Sequence, residues 1–208
     1  METLEAIAAR HTIRDFEEKE IPQDIITKII QAGIQAPSNN HMREWEFILL
    51  QDRSGRRALL DQIIHPLNEK GALRVINRWG LEDEDQRAMY LEAIPKQYAM
   101  LDKAGCLILP CFKQESPLLR PKTLSALNPF ASIWMCIENM LVAATDFGIY
   151  GVVRIHMEDE RRAIKSLLNI PDEYETPCFI ALGYPAPGAH RAKQVDYDLQ
   201  AKMHEDQW

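Results

Sequence analysis

Residues 36–47 read APSNNHMREWEF, and this stretch joins two predicted elements of different kinds. In the residues that precede it, isoleucines recur at helical spacing after Pro22, which predicts an amphipathic helix from Pro22 to Gln35. After it, residues 45–51 (WEFILLQ) are mostly apolar, which predicts a strand buried on both faces. The residues between them, PSNN at 37–40, are favoured in turns and can simply stop the helix. They can also present short side chains and backbone N–H groups to a flat, polar ligand.

The alternation of helices and buried strands continues along the chain. Helices are predicted at residues 2–9, 53–64, 128–147 and 158–168, and strands at 104–112, 148–155 and 176–185. This order is typical of an α+β or α/β sandwich. The helix at 128–147 is apolar nearly all the way round, which predicts a central helix or one shared with a partner subunit.

The domain organisation follows from length and composition. A chain of 208 residues is expected to form a single domain over residues 1–208. Residues of about 66–100 are polar and helical in tendency, with scattered aromatic side chains. This mixture predicts a helical excursion that covers a site like a lid, although ordinary packing would use the same residues. The polar stretch of about 186–208 ends in MHEDQW, which predicts an arm that docks onto another surface.

Charge and cysteine usage exclude several classes of protein. The formal net charge of -7 argues against binding nucleic acid over a broad face. The four cysteines lack CxxC spacing, so we expect reduced packing residues, with Cys106 and Cys111 on opposite faces of one strand. Acidic residues near the N-terminus argue against a signal peptide, and the most apolar segment is too short to span a bilayer. We therefore expect a cytoplasmic protein without nucleic-acid or membrane partners.

The common catalytic motifs are missing from the sequence. It contains no GxGxxG turn, no GxxxxGK[ST] loop, no GxSxG nucleophile turn and no HExxH pair. No acid, base or nucleophile set stands out, and no metal-ligand pattern is present.

Three short polar clusters remain as candidate sites. Arg10 and Arg14, with the hydroxyl of Thr12, could wrap a phosphate, because guanidinium groups bind phosphate oxygens in bidentate fashion. A solvated basic turn is the alternative. The second cluster is the turn at 37–40, and its alternative is a plain helix stop. The third is the segment RAK at 191–193, whose two cations would face the same side of an extended chain or belong to a solvated linker.

In this order and at these distances, the clusters resemble the nitroreductase family of FMN-dependent oxidoreductases over nearly the whole chain. RHTIRDF (residues 10–16) is similar to the family pattern Arg-Arg/His-Ser-x-Arg/Lys-x-Phe, and APSNNHMREWEF is similar to Ala-Pro-Ser-x-x-Asn-x-Gln-Pro-Trp-x-Phe. IENMLVAATDFGIYG (137–151) resembles the family's central helix and its Gly-Leu-Gly turn. IALGYPA (180–186) and RAK resemble the closing strand and its basic Lys-x-Arg pair, with the two cations in reverse order.

The resemblance implies an α+β sandwich, with a central, mostly antiparallel sheet flanked by helices. It also implies a domain-swapped homodimer with two FMN molecules at the interface, formed through the helix at 128–147 and the C-terminal arm. The FMN phosphate and ribityl chain would be held by Arg10, His11, Thr12, Arg14, Arg191 and Lys193. The flavin ring would be lined on one side by Pro37, Ser38, Asn39 and Asn40 of the second subunit, and on the other by Gly151, Val152, Val153 and Arg154.

Two residues depart from the family pattern and are candidates for the substrate cleft. His41 stands where the family usually has Asn, and a histidine can donate or accept depending on its protonation. Arg43-Glu44 replaces Gln-Pro. Arg43 could stabilise the reduced flavin, could bind a carboxylate or phosphate on a substrate, or could pair with Glu44 or Glu46 on the surface.

The activity that the resemblance implies is an FMN-dependent oxidoreductase. NADH or NADPH would deliver a hydride to the flavin, and a small electron acceptor such as a nitroaromatic or a quinone would then take the electrons in a ping-pong sequence. Because the flavin supplies the chemistry, no catalytic side chain is expected. A non-catalytic FMN carrier on the same fold is the alternative. A third interpretation sets the resemblance aside and keeps an interaction protein with a helical lid.

Overall fold

A computed structural model describes residues 2–208 of the chain. The helices are α1 (Thr3–Ala9), α2 (Gln23–Ile34), α3 (Arg53–Ile63), α4 (Glu69–Arg78), α5 (Glu84–Ala93), α6 (Gln97–Asp102), α7 (Asn128–Thr145) and α8 (Glu158–Leu167). The strands are β1 (Trp45–Leu49), β2 (Cys106–Lys113), β3 (Tyr150–Ile155), β4 (Tyr174–Glu175) and β5 (Cys178–Gly183). Most bounds lie within two residues of those predicted, so hydrophobic periodicity located the main elements.

The five strands form one sheet in the order β1-β2-β5-β3, and β4 pairs with the end of β2. Every strand pair is antiparallel, which confirms the predicted α+β class. β1 lies at the sheet edge, and both of its faces are covered, but only in part. Trp45 is buried and Phe47 partly buried against one hydrophobic cluster, and Ile48 is partly buried against the other. Contact on both faces is therefore confirmed, whereas full burial is limited to Trp45.

Helices cover the two faces of the sheet and form two hydrophobic clusters with it. Alternate residues of β2 point to opposite faces, so Cys106 packs with α2 and α7 while Cys111 packs with α3, α6 and α8. All four cysteines are free and buried, as predicted. Burial raises the pKa of Cys106 to about 11 and that of Cys136 to about 12, so these thiols stay protonated and serve as packing groups.

Helix α7 lies directly against α2, and Gly33 of α2 sets how close they come. A Cβ atom on Gly33 would lie 2.5 Å from Met140 Cγ and 3.0 Å from Cys136 Sγ, so no side chain fits between the helices. One face of α7 is buried by this contact and by the sheet, while Met135 on another face remains 42% exposed. The packing fixes the end of α2, and with it the start of the polar turn that follows.

The chain divides into two compact units. The first comprises residues up to 66 and 96–191 and contains the sheet. The second comprises residues 67–95 and 192–208, and its own small core includes Ala72, Ile76 and Ile94. The predicted helical character of residues 66–100 is thus confirmed by α4, α5 and α6, whereas a single domain and a lid function stay predictions. None of the helices within residues 2–208 has the length and apolarity needed to cross a membrane.

A buried ion pair anchors the end of β3 to the start of α8. Both Nη atoms of Arg154 donate to the Glu160 carboxylate, at 2.7 and 2.8 Å, and its Nε donates to Gln97 Oε1 at 3.1 Å. Burial opposes ionisation of Glu160, but hydrogen bonds from Arg154 and from the Met157 N–H outweigh it and lower the carboxyl pKa. The guanidinium of Arg154 is therefore fully engaged within the protein.

His156, two residues after Arg154, is uncharged in the folded protein near neutral pH. Its ring lies edge-on to Phe179 with centroids 4.7 Å apart, and its Nε2 lies 3.3 Å from Thr176 Oγ1. The Nδ1 atom is buried and has no hydrogen-bond partner in the described part of the chain. Burial, reinforced by the charge of Arg154, lowers the pKa of His156 to about 3.

We expect His156 to make the stability of the fold depend on pH. The unfolded chain binds a proton at this residue below about pH 6.5, whereas the folded chain does not until about pH 3. The unfolded state thus binds more protons in this window, and the free energy of unfolding should fall as the pH drops through it. In urea titrations between pH 7 and pH 4, His156→Gln should flatten this slope. The exposed His65→Gln is the matched control and should keep it; equal slopes in both variants would contradict the assignment.

Candidate functional site

The segment after α1 runs beside β3 and joins two of the predicted clusters. Thr12 forms a parallel bridge with Gly151, and the backbone N–H of Ile13 donates to the Gly151 carbonyl at 3.3 Å. The side chain of Ile13 is buried, and this determines the direction in which the side chains on either side of it point. The ring of His11 lies over Tyr150, with centroids 4.3 Å apart. The bridge between Thr12 and Gly151 is a non-local contact, because it joins residues about 140 positions apart in the sequence.

A cavity of about 220 Å³ opens at this junction. Its walls come from the segment after α1, from the start of β3 and from one stripe of α7. The lining residues are Arg10, His11, Thr12, Trp134, Ile137, Glu138, Leu141, Thr145, Tyr150, Gly151 and Val153. The cavity thus combines a cation, a hydroxyl and an imidazole with apolar side chains, which suits a ligand with a polar end and a flat apolar body.

The cation in this cavity already has a partner. Arg10 Nε lies 3.3 Å from Glu138 Oε1, and both side chains are partly exposed, at 28% and 56%. An exposed pair of this kind contributes little to stability and can be exchanged for another anion. Sequence reasoning missed Glu138, Trp134 and Tyr150. The α7 residues recur every three or four positions, so helical periodicity could have identified them as one face.

Four of the predicted ring-lining residues lie on β3, and their side chains have different surroundings. Val152 is buried in the core, and Arg154 is occupied by its ion pair. A Cβ on Gly151 would lie 2.7 Å from Leu182 Cδ2, 2.9 Å from Leu141 Cδ2 and 3.0 Å from the Ala181 carbonyl oxygen, so a larger residue would have to displace both leucines. Only Gly151 and Val153 of this group line the cavity. The role of all four towards a flavin stays a prediction.

The remaining predicted phosphate ligands are Arg14, Arg191 and Lys193. Arg14 is half-buried and does not line the cavity, and Arg191 is exposed. Within the second compact unit, Lys193 Nζ lies 2.7 Å from Asp85 Oδ2 of α5. Their assignment to the phosphate stays a prediction, as it does for Arg10, His11 and Thr12.

The polar turn from Ser38 to Arg43 has an unusual backbone. Asn40, His41 and Arg43 have φ angles of 52°, 58° and 47°, in the left-handed region that non-glycine residues rarely adopt. Each such residue costs on the order of 1–3 kcal/mol unless its surroundings stabilise it, and asparagine tolerates it best. The backbone N–H of Asn39 donates to Ser132 Oγ at 3.0 Å, which ties the turn to the first turns of α7. The side chains of His41 and Arg43 are exposed.

Arg43 makes a contact that none of its predicted roles included. Its Nε donates to the carbonyl oxygen of Ile34, the last residue of α2, at 3.0 Å. Glu44 pairs with Lys113 at 3.0 Å instead of with Arg43. Pro37, Ser38, Asn39 and Asn40 do not line the cavity near Arg10, so the described chain by itself does not bring the two clusters together.

Comparisons with known proteins give this geometry a context. The family model described as "Nitroreductase family" matches residues 7–184. A candidate NADH dehydrogenase/NAD(P)H nitroreductase from Methanothermobacter thermautotrophicus is 25% identical, over 100% of this chain and 88% of the relative. An iodotyrosine deiodinase from Haliscomenobacter hydrossis is 24% identical, over 86% of this chain and 78% of the relative.

The fold is also found among solved structures. An oxidised iodotyrosine deiodinase bound to FMN and 3-iodo-L-tyrosine superposes with a TM-score of 0.72 at 16% identity, over 100% of both chains. At 16% identity, this structural similarity shows the fold alone. The family model covers most of the chain and includes the junction between Thr12 and Gly151, the polar turn and α7. The chain belongs to the nitroreductase family.

Proposed function

We propose that this chain is an FMN-dependent oxidoreductase that uses NADH or NADPH to reduce a small electron acceptor, such as a nitroaromatic or a quinone. Membership of the nitroreductase family and a relative named for NAD(P)H nitroreduction support the proposal. The observation that carries it is the cavity that brings Arg10, His11 and Thr12 against Gly151 of β3.

The residues of the cavity fit FMN in their chemistry. A phosphate needs a cation and hydrogen-bond donors, which Arg10 and Thr12 supply at one place. A flavin ring needs apolar contact surface, which Trp134, Ile137 and Leu141 of α7 supply. Bound FMN would supply two-electron redox chemistry, taking electrons from a nicotinamide and passing them to an acceptor. The protein's part is to bind, to orient and to exclude water.

The charges of the cavity suggest how binding proceeds. Glu138 neutralises Arg10 in the chain by itself, and an incoming phosphate would compete with this carboxylate for the guanidinium. Because the pair is partly exposed, its exchange costs little. Arg14 would add a second cation on the same segment.

The site is proposed to be completed by a second copy of the chain in a homodimer. A cavity of about 220 Å³ is smaller than the roughly 300–1,000 Å³ of most small-molecule sites, so one chain would form only part of it. The polar turn at 38–43 would come from the second copy. In the first compact unit, Leu4 and Ile7 of α1 and Met135 of α7 are exposed and offer apolar contact area.

A second candidate acceptor is an iodinated tyrosine. The sequence relative from Haliscomenobacter hydrossis, named as an iodotyrosine deiodinase, favours this class. A non-catalytic FMN carrier remains the alternative to both. Steady oxidation of NADH or NADPH by the purified protein, with menadione, a nitroaromatic or 3-iodo-L-tyrosine as the acceptor, tests all three. Turnover with one acceptor class identifies the enzyme, and bound FMN without any turnover would favour the carrier.

Removing the two arginines of the first cluster should release FMN. In Arg10→Ala/Arg14→Ala the phosphate would lose charged hydrogen bonds worth about 1.5–3 kcal/mol each, so the Kd for FMN should rise at least about tenfold. Glu138→Gln is the matched control, because it breaks the same ion pair yet keeps the charge of Arg10. Fluorescence titration should show that Glu138→Gln retains FMN or binds it more tightly than the parent. Stoichiometric FMN in the double variant would show that the phosphate binds elsewhere.

Deleting residues 197–208 should weaken the proposed dimer. In the second compact unit this segment exposes Tyr197, Leu199, Met203 and Trp208, at 72%, 56%, 61% and 102%. Apolar side chains of this kind are stabilised by burial against a partner. Light scattering over a dilution series should show dissociation at a higher protein concentration for the shortened chain. An unchanged mass across the series would refute the docking role of the arm.

A further inference from the structure

We infer that Arg43 is a positioning residue, which clamps the polar turn Ser38–Arg43 to the end of α2 instead of contacting the flavin or the substrate. The inference rests on the proposed function for its consequence, since the turn is the part proposed to face the cofactor. The clamp itself is a property of this chain's own contacts.

The end of α2 explains why a clamp is needed. The carbonyls of Ala32 and Gly33 accept backbone hydrogen bonds from Gln35 and Ala36, at 3.2 and 2.9 Å. The carbonyl of Ile34 would need an N–H four residues later in a continued helix, but Pro37 stops the helix there. Arg43 Nε fills this position at 3.0 Å, and its positive charge also suits the negative end of the helix.

The backbone of the turn is fastened at both ends. At its C-terminal end the N–H of Arg43 donates to Ser38 Oγ at 3.0 Å, so the residue closes the turn with its main chain as well as its side chain. At its N-terminal end the N–H of Asn39 donates to the buried Ser132 Oγ, whose hydroxyl donates to the Asn128 carbonyl at 2.7 Å. Asn40 and His41, both left-handed, lie between these two fasteners. The fasteners thus hold a conformation that the free chain would rarely adopt.

This arrangement decides which side chains the turn can offer to a ligand. The Nε of Arg43 is directed back to Ile34, while His41 and Met42 are exposed at the tip, the latter at 62%. The bond to Ile34 uses one of the five N–H groups of the guanidinium and fixes the position from which the other four can act. With Arg43 acting as a clamp, we expect no preference for a carboxylate on the acceptor that depends on Arg43.

The inference can be tested because the turn is held by one charged side chain, Arg43, and one neutral side chain, Ser132. Arg43→Ala removes a cation and a clamp, Ser132→Ala removes a neutral clamp at the other end, and Arg43→Lys keeps the charge. Arg162→Ala is the control, since the Arg162 side chain is 71% exposed and its ion pair with Glu158 is long, at 3.9 Å. On the full chain without added FMN, hydrogen–deuterium exchange in peptides covering residues 36–44 should become about two- to tenfold faster in Arg43→Ala and in Ser132→Ala, the range for one lost hydrogen bond. Arg162→Ala should exchange like the parent.

Flavin binding gives the second readout. Both Arg43→Ala and Ser132→Ala should raise the Kd for FMN by about two- to tenfold and change the visible circular dichroism of the bound flavin in the same direction. An effect of Arg43→Ala that Arg43→Lys restores in full and Ser132→Ala lacks would overturn the inference in favour of direct electrostatics. So would unchanged exchange in Arg43→Ala.

The third measurement compares two electron acceptors of similar shape, the anion 4-nitrobenzoate and the neutral 4-nitrobenzamide. The ratio of their KM values should be the same in Arg43→Ala as in the parent. A selective rise for 4-nitrobenzoate would place the guanidinium on the substrate and contradict the clamp. Failure of the parent to bind FMN would overturn the proposed function alone, because the clamp is judged by the exchange rates.

Discussion

The contact between Thr12 and Gly151 is the constraint on which the candidate site depends. It lays the segment after α1 beside β3, and one backbone hydrogen bond from Ile13 to Gly151 holds the two together. A residue larger than Gly151 would have to displace Leu141 and Leu182, whose side chains occupy the space of a Cβ. The arginine, imidazole and hydroxyl at residues 10–12 are thereby brought against α7. Without this pairing the basic segment would be a solvated turn.

A second constraint sets the position of the polar turn. Gly33 lets α2 approach α7 closely, and the end of α2 then determines where residues 36–43 begin. Ser132 of α7 and Arg43 hold the turn at its two ends. The same helix, α7, therefore supports both the cavity near Arg10 and the turn, although the two lie at different places along it. In the proposed dimer these two features would face one another across the interface.

Much of the fold could be predicted from the sequence, because periodicity records which face of an element is buried. The isoleucine stripe of α2 and the apolar run of β2 gave their positions within two residues. The two-residue strand β4 is too short to show a period, and the edge position of β1 depends on the order of strands rather than on local composition. The family resemblance supplied an expectation that local patterns could not, namely that the separate polar clusters form one site, and this stays a prediction.

Part of the lining of the cavity could be predicted from the sequence, namely Arg10, His11, Thr12, Gly151 and Val153, but its side-chain contacts could not. Side-chain partners such as Arg10 with Glu138, or Lys193 with Asp85, join residues more than 100 positions apart and depend on the folded geometry. The φ angle of 47° at Arg43 and the contact of its side chain with Ile34 could not be predicted, because non-glycine residues rarely adopt this backbone conformation.

The most direct test of the proposed function is the visible spectrum of the purified protein, followed by NADH or NADPH addition without oxygen. We expect flavin absorption bands that bleach on adding a nucleotide; a protein that shows no flavin before or after soaking with FMN would contradict the proposed function.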